Sequence, residues 1–120
     1  MPRVLALGLD PRFADLSHMP GMTPELVRAF IDAQLQRVRE AGYEVDVCLL
    51  DAGATAAAAL SRCLDSKKFD CVMIGAGLRD PAQLLLFEEL INTVHCKAPT
   101  ARLCFNTTPG DTLEAVRRRI

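Results

Sequence analysis

At 120 residues, half of them apolar and 24% charged, the chain is sized for one domain around a single core and lies far from the composition of disordered segments. Its net charge is −1, with Lys and Arg scattered except at Arg117, Arg118 and Arg119, so the basic stripe that phosphate-backbone binding needs is excluded. No apolar run reaches bilayer length, and neither nucleic acid nor a membrane is expected as a partner.

The first predicted strand is the run from Val4 to Leu9, which ends at Asp10-Pro11. Met-Pro-Arg leads into it directly, with no basic n-region or small-residue cleavage site, so a cytoplasmic location is expected. A loop from about Asp10 to Met22 follows, carrying Arg12, Asp15, His18 and the turn Pro20-Gly21; connections this long in compact domains are often binding loops or lids. Thr23-Pro24-Glu25 reads as N-cap, first helical position and first-turn acid. Leu26, Val27, Phe30, Ile31, Leu35 and Val38 recur at helical spacing as the inward face, and Gly42 stops the helix.

The second strand spans Tyr43 to Leu50 and ends at Asp51-Ala-Gly53, after which Thr55 is expected to cap an alanine-rich helix through Leu64, with Leu60, Cys63 and Leu64 inward. The third strand, Asp70 to Ile74, has no polar alternation and belongs at the centre of a sheet. Gly75-Ala-Gly77-Leu-Arg79-Asp80-Pro81 leads into a helix through about His95 that is apolar on more than one face at its start. Arg102 to Phe105 forms the fourth strand, and Gly110-Asp111-Thr112 opens a last helix with Leu113, Val116 and Ile120 inward. Cys48, Cys63, Cys71, Cys96 and Cys104 are odd in number and lack Cys-x-x-Cys spacing, so they read as reduced, buried small hydrophobes.

Four strand–helix alternations predict a single three-layer α/β domain over 1–120. Its four-stranded parallel sheet has helices on both faces and order 2-1-3-4, in the manner of flavodoxin-like and receiver-like folds. In that order the crevice lies between the 10–22 loop and the Gly75–Asp80 loop, outside the carboxyl ends of strands one and three. The apolar fourth strand at an edge and the over-apolar third helix lead to the expectation of a homodimer.

Gly75 and Gly77 after a central strand resemble half of a dinucleotide loop, in which glycines let backbone approach a phosphate; the third glycine is missing, and a tight turn explains both as well. Arg79 at the rim favours an anion or carboxylate. Asp10 sits beside the switch point, with Asp-Pro loop opening as its alternative role, and Asp51 is better read as a turn residue than as a ribose ligand. A receiver's phosphoacceptor position is Gly75, which argues against that activity. Cys104 lacks the arginine that closes a cysteine phosphate loop, where Gly110 stands. Asn106, Thr107 and Thr108 can bond a ligand or cap the last helix. His18 and His95 share no metal spacing, so no metal is expected; His18 lies in the long loop over the crevice, with a plain surface histidine as the alternative, and His95 caps its helix or lines an interface.

Asp10-Pro11, Pro20-Gly21-Met22-Thr23, Gly42-Tyr43, Ile74-Gly75-Ala76-Gly77-Leu78-Arg79, Leu86-Phe87-Glu88, Ile91-Asn92, Val94-His95, Ala98-Pro99 and Phe105-Asn106-Thr107 with Asp111-Thr112 resemble the pattern of a family of short uncharacterised α/β proteins with no established activity. The resemblance spans nearly the whole chain and implies a shared fold, with no catalytic residue to carry over. The expectation is a small anionic or polar ligand held by Asp10, Arg12, His18, Gly75, Gly77, Arg79, Asn106 and Thr107, with Asp10 or His18 moving a proton if chemistry occurs and no cofactor specified. The alternative is a receiver-like interaction module without catalytic activity that uses the Leu84–His95 helix as its contact surface.

Overall fold

Each of the four apolar runs becomes a strand of one parallel sheet in the computed structural model, which describes residues 1–120. The chain runs through β1 (Arg3–Leu9), α1 (Pro24–Glu40), β2 (Glu44–Leu50), α2 (Ala56–Ser66), β3 (Cys71–Ile74), α3 (Leu84–Lys97), β4 (Arg102–Phe105) and α4 (Thr112–Arg117). The sheet order is β2-β1-β3-β4, the flavodoxin-like arrangement expected from the alternation of elements. Register pairs Val4 with Cys71 and Leu7 with Ile74, so β1 runs two residues, Gly8 and Leu9, past the end of β3.

Alternation along β1 divides the core. Val4 and Ala6 join Leu35 and Val38 of α1 and Leu113, Ala115 and Val116 of α4 on one face. Leu5, Leu7 and Leu9 join Leu60 and Leu64 of α2 and Leu90 and Val94 of α3 on the other. Burying that many large aliphatic side chains, each worth about 1.5–3 kcal/mol, is what holds the three layers together.

The ends of the helices follow local chemistry. The Leu26 amide donates to Thr23 Oγ1 at 3.2 Å with Pro24 at the first helical position, and Gly42 leaves α1 at a φ of 103°, a conformation that strains an L side chain. Thr55 precedes α2 without capping it; its hydroxyl instead donates to Asp51 Oδ2 at 2.8 Å. Short 3-10 turns at Ala76–Arg79 and Pro81–Gln83 lead into α3, and another at Pro109–Asp111, closed by a Thr108–Asp111 capping box, leads into α4.

Three expectations for side-chain burial are corrected. Leu26 and Phe30 are 53% and 46% exposed rather than inward, because only the second half of α1, at Leu35 and Val38, reaches the sheet. Cys96 is exposed on α3, unlike Cys48, Cys71 and Cys104 in the core. Ile120 lies beyond the end of α4 and is partly exposed.

At the two sheet edges, an arginine reaches a strand carbonyl. Arg39 Nη2 donates to Val45 O at 3.2 Å on β2, and Arg118 Nη2 donates to Phe105 O at 2.7 Å on β4. No helix is long and apolar enough to cross a membrane.

Candidate functional site

Because the first half of α1 stands off the sheet, a cavity of about 410 Å³ opens between that helix and the carboxyl ends of β1, β2 and β3. Ala6 and Gly8 of β1, Val47 and Leu49 of β2 and Met73 of β3 form its floor, and Val27, Ile31 and Leu35 form the α1 wall. One lip is the segment after β1, with Phe13, Ala14, Asp15, Leu16, His18 and Met19; the other is the Gly75–Gly77 turn with Asp80, Ala82 and Gln83. Such a hollow falls within the size range of ligand pockets and sits at the topological switch point.

Small residues create the space. Gly8 and Ala6 point toward α1 where larger side chains would fill the gap, and a Cβ on Gly8 would sit 3.4 Å from Leu49 Cδ2. Gly77 allows close passage on the other lip, since a Cβ there would stand 3.2 Å from Leu9 Cβ. The inner end of the cavity is polar. Asn106 and Thr112 are both buried there, with Asn106 Nδ2 donating to Thr112 Oγ1 at 3.1 Å and the Thr112 hydroxyl donating to Pro109 O at 2.7 Å.

Of the residues expected at the site, His18, Gly75, Gly77 and Asn106 line this cavity together. Asp10 and Arg12 line a separate, smaller hollow of about 260 Å³ with Asp51 and Thr55, at the ends of β1 and β2. There Arg12 Nη2 and Asp10 Oδ2 form an ion pair at 2.8 Å, and the Arg12 hydrogen bonds hold the Asp10 carboxyl below its ordinary range. That pairing suits a turn lock and makes Asp10 a weak proton acceptor at neutral pH.

Arg79 and Thr107 line neither hollow. Arg79 turns back on the protein: its guanidinium donates to Ile74 O and Asn106 O and, at 3.3 Å, to Asn106 Oδ1, while stacking 5.1 Å from the Phe105 ring. Burial lowers its affinity for the proton, with the Asp111 charge acting the other way. Thr107 is held by Asp111, its hydroxyl donating to Oδ2 at 2.5 Å and its amide to Oδ1 at 2.8 Å. Those bonds, the hydroxyl's above all, keep the Asp111 carboxyl below its usual range.

Sequence reasoning located the two lips and missed the chamber behind them. Val27, Ile31, Val47, Leu49 and Met73 read as ordinary core, whereas they face empty space. Gly8 was the available signal, since glycine inside a buried strand marks a missing side chain or a close approach. No protein-family model matches the chain, and no curated protein matches it.

Proposed function

We propose that the protein binds a small molecule with a largely apolar body in the cavity between α1 and the ends of β1 and β3. The observation that carries this is the cavity itself, about 410 Å³ with an apolar floor and wall, a polar inner end at Asn106 and Thr112, and an opening between two loops. Large, mostly apolar hollows with a few convergent polar groups are the usual form of a ligand site. An anion finds less support, because Arg12 and Arg79 spend their guanidinium groups on Asp10 and on backbone carbonyls. The five free cysteines suit the reducing cytoplasm, where we place the protein.

A thermal-shift screen of small aromatic and aliphatic compounds tests this, run in parallel on Gly8→Val, whose side chain enters the cavity from β1. A compound at about a hundred times its dissociation constant adds about 2.7 kcal/mol and raises the melting temperature by several degrees. Shifts with the native chain that vanish in a folded Gly8→Val variant support the site; shifts unchanged by Gly8→Val, or none at all, reject it.

A second reading, compatible with the first, is self-association through α3 and β4. Leu84 and Leu85 are 62% and 77% exposed at the start of α3, and Phe105, 38% exposed, packs edge-to-face on Phe87 with centroids 5.9 Å apart. Sedimentation of the native chain as a dimer and of Leu85→Asp as a monomer supports this interface; a monomeric native chain removes it.

A further inference from the structure

The cavity has an unbalanced charge. Asp15 on one lip and Asp80 on the other both line it, and no Lys or Arg does. The nearby cations are spent elsewhere: Arg12 on Asp10, Arg28 on Asp32 at 3.1 Å, and Arg79 on the carbonyls of Ile74 and Asn106. Neither Asp15 nor Asp80 belongs to an ion pair.

Each of these carboxylates spends Oδ1 on a turn amide, Asp15 on Ser17 N and Asp80 on Ala82 N, both at 2.9 Å. Neither turn bond neutralises its carboxylate, and both residues are exposed. Behind them lies a chamber of aliphatic side chains, whose low polarisability concentrates the field of charges at its opening.

From this arrangement we infer that the cavity selects organic cations, a compact apolar body in the chamber with an ammonium group between Asp15 and Asp80. The inference rests on the ligand-binding reading above and names the class of molecule that site takes. An apolar carboxylate of the same shape meets two like charges and no partner. An apolar amine gains both carboxylates while burying the same surface. His18, on the same lip as Asp15, is the one other titratable group in the lining.

Three probes of one ring system separate the terms: 1-naphthylmethylamine, 1-naphthylmethanol and 1-naphthoate, titrated calorimetrically into the full chain at neutral pH. The amine is expected to bind about tenfold more tightly than the alcohol, and the carboxylate more weakly than either, with the amine's advantage shrinking as salt screens the exposed carboxylates. The double variant Asp15→Asn/Asp80→Asn, which keeps the Oδ1 acceptors and so the turns, should bring the amine down to the alcohol's affinity. Binding of the carboxylate as tightly as the amine, or an amine preference that survives the double variant, overturns the inference and leaves the ligand site standing. Failure of all three probes overturns both.

Discussion

Arg79 and Asn106 are joined twice, through the Asn106 carbonyl and through its side-chain Oδ1, so that the turn after β3 is fastened to the end of β4. The same guanidinium holds Ile74 O and stacks on Phe105. A residue at the expected position for an anion clamp is thus a clasp between two adjacent loops. Its second effect is indirect, because Asn106 in turn holds Thr112 at the inner end of the cavity.

Replacing Arg79 should therefore act on stability. Arg79→Ala is expected to cost about 2–3 kcal/mol, since charge-assisted hydrogen bonds and the contact with Phe105 are lost together and partly buried carbonyls are left without a donor. Arg79→Lys should recover less than half, because an ammonium cannot reproduce the planar fork. Urea denaturation of the three proteins checks both values, and an unchanged midpoint for Arg79→Ala would contradict the clasp.

Acid should weaken the fold in a window set by three carboxylates. Asp10, Asp15 and Asp111 all lie below their ordinary value of 3.8, held there first by hydrogen bonds from Arg12, Ser17 and Thr107 respectively. A depressed folded-state value contributes stability that is present above about pH 4 and is lost as pH falls through the lowered values. Stability should thus be level from neutral pH down to about pH 4 and decline below it. Asp111→Asn should make that decline shallower, as read from melting temperatures across the pH series.

Gly42 should resist substitution although it has room. A Cβ there would meet nothing within 4 Å, yet its φ of 103° is unfavourable for any L side chain. Gly42→Ala is expected to destabilise by about 1 kcal/mol and Gly42→Asn by less, measured by denaturant unfolding. Equal stability of all three would show that the turn relaxes at no cost.

The thiols should react unequally. Burial, aided by a hydrogen bond with Cys63, pushes the Cys48 thiol up to about 12, and Cys71 is raised by its contact with Cys104, 3.4 Å away, and by burial. Cys96 is exposed. A disulfide reagent at neutral pH should modify Cys96 quickly, Cys63 slowly, and Cys48, Cys71 and Cys104 only on unfolding. Rapid modification of all five would mean that the core opens freely on both faces of the sheet, since Cys48 lies on the α2–α3 side and Cys71 and Cys104 on the α1–α4 side.

The sheet was legible because four near-continuous apolar runs alternate with helical patterns, for which order 2-1-3-4 is the economical arrangement of right-handed crossovers. Helix starts at Thr23 and stops at Gly42 were equally readable, being local. What could not be read was the angle of α1. Leu26 and Phe30 keep helical spacing with Leu35 and Val38, and periodicity records which way a side chain points around the axis but not how far the axis stands from the sheet. The same limit hid the partners of Arg79 and Arg12. An arginine beside a predicted crevice looks free in a sequence, and only the fold brings Asn106 to the first, while the second finds Asp10 two residues away.

Arg39 on Val45 and Arg118 on Phe105 give this small sheet a guard at either side. A foreign strand approaching β2 or β4 would look for that very carbonyl and would have to displace a charged guanidinium to reach it. Four short parallel strands with two open flanks are otherwise a template for fibril growth. Two arginines, Arg39 of the helix before β2 and Arg118 after α4, each occupy one edge carbonyl that an added strand would need.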